Sequence, residues 1–438
     1  MIEDDIYRSS TQFRLWSFTR DSLQSLRANT NALAVERIRA TQRRVREAVR
    51  STTPSTVEAS TPNPSDAEGG GKPDVIARKD VVCLTPEEEL EFVGYYCEQT
   101  LELGETYKPS LPTAVRATAI QYLRRFYITN SVMTYHPKSI MPCALFLATK
   151  SDHYYMPLQE FANGVPGITN SDEVIAPEFN LTKGLRFTFD VRHPFRGLEG
   201  GVMELQAIAQ GSGKPGPHHP EKTPEGLMQA LLAVTPLDSS PDKQRSIAIR
   251  IAKAHSKARE ILKTAAQMTD AYFLYTPSQI WFSAFLLADR PLAEFYLDIK
   301  IGPPAADDGV NADSTSPLTL IRAKLVSTLS NCSQLLKSYR PVSSDPDKRK
   351  SLKGIAKKVY QCQQVEKLDP VGLGRAQKRG SGTPASATGP VGGADAISES
   401  DMERVAKKRR LERERKEKET RDIFGGELVA QRNKGAAM

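Results

Sequence analysis

Apolar positions cluster in two matching runs 140 residues apart, HPKSIMPCALFLATK from His136 and TPSQIWFSAFLLADR from Thr276. The runs agree at Pro137/Pro277, Ile140/Ile280, Ala144/Ala284, Leu147/Leu287, Ala148/Ala288 and Lys150/Arg290. Each begins with proline at a first helical position, where the missing N–H costs nothing, and is apolar on nearly every side. A helix of that kind needs neighbours all round, so the repeat predicts two related helical domains, each built around one central buried helix.

The surrounding pattern supplies those neighbours. Residues 20–50 read as one long helix with a thin apolar stripe (Leu23, Leu26, Ala34, Ile38) and a basic outer face, expected to pack weakly. Thr85, Pro86 and Glu88 form a capping box that opens a helix to about Glu102. After Pro112, the residues Val115, Ala119, Tyr122, Leu123 and Phe126 repeat at helical spacing. Short helices are expected over 158–163 and 172–185, and further ones over 195–209, 246–272, 291–300, 318–339 and 346–366. Thr276 and Gln279 cap the second buried run. The fold class is therefore all-α, two five-helix repeats with flanking helices.

Between these elements the composition changes. Residues 51–79 and 210–244 are rich in Pro, Gly, Ser and Thr and are expected to be a disordered linker and an inserted loop, with a shorter polar insertion at 305–316. The predicted organisation is an N-terminal extension and helix (1–50), the linker (51–79), a first repeat (80–190) and a second repeat (191–340). A C-terminal helix (341–366) and a low-complexity, basic tail (367–438) follow.

Composition narrows the function by exclusion. The longest apolar run, near Ile280 to Ala288, falls well short of the ~20 residues that span a bilayer, so no membrane partner is expected. The acidic start MIEDDIYRSS lacks the regions of a signal peptide, which points to the cytosol or nucleus. Five scattered cysteines show no metal-ligand spacing and read as reduced, mostly buried thiols; no metal or cofactor is expected. The net charge of +8 is concentrated in residues 37–50 and after Arg404, and direct nucleic-acid binding is not expected from it. Gly69–Lys72 and Gly211–Lys214 resemble the end of a phosphate loop, but each is followed by proline where a metal-binding Ser or Thr would stand. His153, His218 and His219 make no catalytic set, and no Ser or Cys stands in a nucleophile turn. The Tyr122, Phe126 and Tyr127 cluster could stack single-stranded bases, yet its helical spacing reads as core.

The stretch from Tyr122 to Met141, with Arg125-Phe126-Tyr127, Asn130-Ser131-Val132-Met133 and Tyr135-His136-Pro137, resembles the cyclin H family. So does Thr269 to Ile280, and so do Trp16, Phe18, Leu23, Leu26 and Arg27 within Ser10 to Ala28. The resemblance covers about residues 9–48, 80–206 and 246–365. It implies tandem cyclin boxes and a non-catalytic subunit that binds and activates a cyclin-dependent kinase. Such a subunit holds the kinase's C-helix inward so that its glutamate pairs with the ATP-positioning lysine. The resemblance also implies a RING-finger assembly subunit and the TFIIH core as partners, RNA polymerase II repeats as the kinase's substrate, and a nuclear location. Lys150 and Glu178 match the family's kinase-binding lysine and glutamate, the latter standing nine residues before Phe187. His153 departs from the acidic residue usual three positions after that lysine. Rival readings are a cyclin C-like mediator subunit and a TFIIB-like nucleic-acid-binding tandem cyclin fold. Lys407-Lys408-Arg409-Arg410 suits a nuclear import signal. Thr53, Thr61, Thr223, Thr235, Ser240, Ser316 and Thr383 precede proline as candidate phosphorylation sites.

Overall fold

The computed structural model describes residues 7–52, 80–216, 222–234, 243–302, 317–342 and 344–368. All of these belong to one compact unit, residues 1–377, and every regular element among them is helical. The expected linker 51–79 and tail 367–438 lie outside the described residues except at their first two positions, 51–52 and 367–368, where flanking helices run on to Thr52 and Lys367, and the insertion 305–316 lies wholly outside them. So do Gly69–Lys72, Lys407–Arg410, His218, His219 and every Ser/Thr-Pro site except Thr223.

Helices α1 (Thr11–Trp16) and α2 (Arg20–Thr52) precede the first repeat, which comprises α3 (Pro86–Thr106), α4 (Thr113–Thr129), α5 (Pro137–Ser151), α6 (Leu158–Gly164), α7 (Asp172–Ile175) and α8 (Glu178–Gly184). The second repeat comprises α9 (Phe195–Ala209), α10 (Pro224–Ala233), α11 (Lys243–Lys263), α12 (Ala265–Met268), α13 (Ala271–Leu274), α14 (Pro277–Ala288), α15 (Arg290–Ile301) and α16 (Pro317–Ser338). Helix α17 (Pro346–Lys367) closes the described chain.

Local start signals act as the pattern predicts. Thr85 Oγ1 accepts the Glu88 N–H (3.2 Å) while Glu88 accepts the Thr85 N–H (3.1 Å). Thr276 and Gln279 reciprocate in the same way, at 3.3 and 3.0 Å. His136 caps α5 by accepting the Lys138 N–H through Nδ1 (3.0 Å). The repeated positions Ile140/Ile280 and Ala144/Ala284 are all buried, each in the core of its own repeat.

The most enclosed helix of the first repeat is α4, where every residue from Val115 to Ile128 is buried. Its apolar side faces α3 and α5, and its polar side meets the second repeat. Arg124 donates to Met268 O (2.7 Å) and Asp270 Oδ1 (2.6 Å), and Gln121 Nε2 to Gln267 Oε1 (3.0 Å). The aromatic cluster of α4 is core, not a stacking platform: the hydroxyl of Tyr122 donates to Phe189 O (2.7 Å) and that of Tyr127 to Tyr135 O (2.8 Å).

Four expectations need correction. The single helix over 246–272 is broken after Lys263 at Thr264 (φ −109, ψ −85), and the bend brings Gln267, Met268 and Asp270 to α4. The helix over 172–185 is two, α7 and α8, separated at Pro177, which lacks the N–H to continue the ladder. The loop 210–244 contains α10, because Thr223 Oγ1 caps Gly226 N–H (3.1 Å), Pro224 takes the first position, and Leu227 and Leu231 bury one turn apart. Helix α2 is firmly seated rather than loosely packed. Arg27 forks onto Asp270 at 2.8 and 2.7 Å, Thr30 donates to Ile128 O (2.8 Å), and Asn31 bonds both Leu84 O (2.9 Å) and Glu89 Oε1 (2.8 Å).

Helix α17 lies along α2 and α3, adding Leu352, Ile355, Val359, Cys362 and Val365 to the first core. Lys358 Nζ pairs with Glu88 at 2.6 Å. All five cysteines are free thiols and four are buried, as their spacing suggested.

Candidate functional site

Lys150 stands in the last turn of α5, and Glu178 is the first residue of α8. Their backbones are fixed from beneath. Leu145, Phe146, Ala148 and Thr149 anchor the end of α5, while Leu181 and Leu185 anchor α8. The structure brings the two charged side chains together: Lys150 Nζ donates to Glu178 Oε1, with 44% and 27% of the side chains exposed. The ammonium also lies 5.0 Å from the Phe146 ring centroid.

An exposed pair of this kind contributes about 0–1 kcal/mol to folding. Stability therefore does not account for the arrangement, which leaves a fixed charge and its counter-charge at the surface. The surroundings support that reading. Tyr155, after α5, is 90% exposed; Phe179, beside Glu178, is 70% exposed; and Phe187, in the turn after α8, is 64% exposed. Ile175 in α7 is exposed too. Large apolar side chains exposed on the same stretch of chain as the two charges suit an interaction surface. The seven residues of α8 span about 10 Å at 1.5 Å per residue, so the pair and Phe187 fit within one ordinary interface.

The family pattern names Lys150 and Glu178, with Phe187 only as the aromatic that ends the helix; the structure adds that the two charges meet and that Phe187, Tyr155, Phe179 and Ile175 are exposed. Pro177, directly before Glu178 and Phe179, was the available signal, because a break there frees Phe179 from a longer helix's buried face. His153 sits at φ +57, a left-handed conformation uncommon for a side chain with Cβ. The neighbouring Asp152 is held inward, accepting from Thr118 Oγ1 at 2.8 Å. Burial pushes the Asp152 carboxyl above the ordinary range, the Thr118 bond opposing.

Among the described residues no group of His, Cys, Asp and Glu is placed to hold a metal ion, and no helix is long and apolar enough to cross a membrane. Arg250 forks onto Asp289 at 2.6 and 2.8 Å, fixing the end of α14 in the second repeat. The repeat-related residue of Lys150 is Arg290, which bonds Glu294 on its own helix (2.7 Å) rather than a residue from another element. The two repeats therefore differ at the position where the first presents its pair.

Two helical repeats, each built around a corresponding buried, proline-started helix, make a tandem fold of the cyclin type. The description "Cyclin, N-terminal domain" matches residues 101–190 and "Cyclin C-terminal domain" matches residues 193–337. The chain belongs to the cyclin family. It is 30% identical over 298 residues to Cyclin CCL1 of Saccharomyces cerevisiae, covering 68% of this chain and 62% of that protein. It is 34% identical over 204 residues to a Probable cyclin-H of Echinococcus multilocularis, covering 46% of this chain and 54% of the relative. The chain thus spans less than two thirds of the length of either relative. A chain in the structure of the CAK complex from Chaetomium thermophilum bound to ATP-gamma-S is similar at a TM-score of 0.58 and 29% identity, covering 90% of this chain and 99% of that one.

Proposed function

We propose that this chain is a cyclin H-like regulatory subunit that binds and activates a cyclin-dependent kinase of the CDK-activating, TFIIH type. The observation that carries the reading is the Lys150–Glu178 pair, fixed on a cyclin box whose chain between residues 150 and 187 also exposes Tyr155, Phe179 and Phe187. In the proposed complex this face lies against the kinase's C-helix. The lysine donates to, and the glutamate accepts from, backbone groups beside that helix, while the aromatic side chains bury against its apolar residues. The kinase glutamate is thereby kept turned inward onto the lysine that positions the ATP phosphates. The subunit contributes surface and orientation; the phosphoryl-transfer groups belong to the kinase.

The similarity to Cyclin CCL1, to a cyclin-H and to a chain of a CAK complex supports this type of kinase. On the same reading, a RING-finger assembly subunit completes the complex and the TFIIH core recruits it. Its substrates are the repeats of RNA polymerase II and other cyclin-dependent kinases, and its location is the nucleus. The proposed limits of the boxes are residues 80–190 and 191–340.

The test is to co-purify the full chain with the CDK-activating kinase subunit of its own organism and to assay polymerase repeat peptides with and without it. A stable complex with strongly raised activity, lost in Lys150→Ala and Glu178→Ala, is expected. A folded chain that leaves the kinase unbound and unstimulated overturns the proposal.

A further inference from the structure

The segment leading from α8 to the second repeat is gripped from two sides. From α4, the Tyr122 hydroxyl donates to Phe189 O (2.7 Å) and Arg125 Nη1 to Asp190 O (3.1 Å). From α1, Trp16 Nε1 donates to Thr188 Oγ1 (3.0 Å), and Gln12 Oε1 accepts the Arg192 backbone N–H (2.6 Å). Both Trp16 and Gln12 are fully buried. The guanidinium groups of Arg125 and Arg186 each lie 5.2 Å from the Trp16 ring.

Within that segment, two successive residues with Cβ atoms are left-handed, Arg186 at φ +54 and Phe187 at φ +55. Left-handed backbone is disfavoured for such residues and persists where surrounding contacts determine it. The turn is closed by Phe187 N–H to Thr182 O (3.0 Å), Thr188 N–H to Leu185 O (3.0 Å) and the Thr188 hydroxyl to Leu185 O (2.7 Å). That hydroxyl has one proton, which goes to Leu185, so its oxygen is free to accept from Trp16. The α4 bonds land on residues 189 and 190, beyond the turn. The indole reaches both Arg186, by its ring, and Thr188, by its N–H.

We propose that α1 is a positioning element for the kinase-binding face: Trp16, acting through Thr188 and Arg186, holds the turn in the left-handed form that points Phe187 outward. The inference rests on the proposed kinase-binding role of the α5–α8 face and assigns α1 a positioning role behind it. Kinase affinity then depends on a short helix joined to α2 by three residues, Ser17–Thr19. Removing the indole N–H releases the turn toward ordinary right-handed or extended backbone and turns Phe187 away.

The experiment measures affinity of the full chain for the purified kinase, with circular dichroism and thermal melting as folding controls. The variants are Trp16→Phe, which keeps a ring and loses the N–H, Thr188→Val, which keeps the shape and loses the hydroxyl, Phe187→Ala, and Lys150→Ala. The expected result is roughly tenfold weaker binding for Trp16→Phe, Thr188→Val and Phe187→Ala in folded protein. A fall of that size corresponds to about 1.4 kcal/mol. Adding Arg186→Gly, which removes the Cβ penalty at φ +54, should restore at least part of the affinity lost in Trp16→Phe. A purely structural role for Trp16 predicts no such rescue. Should Trp16→Phe misfold, Thr188→Val carries the test. Wild-type binding by Thr188→Val and Trp16→Phe, with Lys150→Ala and Phe187→Ala impaired, overturns this inference and leaves the kinase face standing. Wild-type binding by all four overturns both.

Discussion

Arg124 of the first repeat and Asp270 of the second meet at 2.6 Å, and Arg27 of α2 forks onto the same carboxylate at 2.8 and 2.7 Å. One acidic side chain thus ties three parts of the chain together. Burial pushes its carboxyl up, but the Arg27 and Arg124 bonds outweigh burial and hold it at about 2. Asp270→Ala leaves Arg124, 4% exposed, without its counter-charge, which costs about 3–5 kcal/mol. Denaturant unfolding of the full chain should show that loss as a lower midpoint. The wild-type contribution is complete above the unfolded carboxylate value of about 4 and is lost as pH falls from about 4 toward 2.

His193 produces a second, higher pH window. Its Nε2 lies 2.9 Å from Thr118 Oγ1 and its Nδ1 lies 2.9 Å from the Tyr272 hydroxyl. The Thr118 proton is directed to Asp152 (2.8 Å), so Nε2 must donate to Thr118 and Nδ1 must accept from Tyr272. Burial, with Arg125 adding to it, pushes the imidazole down to about 3. The folded value lies below the unfolded one of about 6.5, so neutral His193 contributes full stability above pH 6.5. That contribution falls as pH drops from there toward 3, because the unfolded chain takes up the proton first. Stability measured from pH 7 to 4.5 should decline in the wild type, and His193→Gln should reduce the slope at a lower baseline, leaving the part that His136, also pushed down by burial, contributes in the same window.

These two sites show where sequence reading reaches its limit. Apolar periodicity located the buried helices because burial leaves a mark in residue type. The join between repeats is made by Gln121, Arg124, Gln267 and Asp270, which in a single sequence look like a helix's solvated side. The weak packing expected of α2 failed for the same reason, since Arg27, Thr30 and Asn31 hold it. Lys150 and Glu178 were legible through the family's motif rather than through spacing, being 28 residues apart in two short elements. Tyr155 and Phe179 were not legible, because an exposed aromatic has the same letter as a buried one.

Substitutions at the Lys150–Glu178 pair test folding apart from the proposed binding. Lys150→Ala and Glu178→Ala should each change unfolding free energy by about 1 kcal/mol or less, because the pair is partly exposed. If each charge is desolvated against the kinase, the same substitutions weaken association by about 2–5 kcal/mol. Calorimetric titration of the kinase with folded variants reads the second number; unchanged affinity in both rejects the site.

Helix α10 links a candidate modification site to stability. The Thr223 hydroxyl accepts the Gly226 N–H at 3.1 Å, and Leu227 and Leu231 behind it are buried in the second core. Leu231→Ala should cost about 2–5 kcal/mol through the cavity it leaves. Thr223→Ala removes only the cap and should cost about 1 kcal/mol. Thr223→Asp keeps an acceptor at a helix N-terminus that favours negative charge, so it should unfold close to the wild type. Phosphorylation of Thr223, which precedes Pro224, would add anionic oxygens at the same place. The expected effect of the modification is a retained or strengthened α10, and limited proteolysis across residues 222–234 of phosphorylated and unphosphorylated chain checks it. Faster cleavage after phosphorylation would reverse the sign of the argument, showing that the phosphate displaces the cap instead of replacing it.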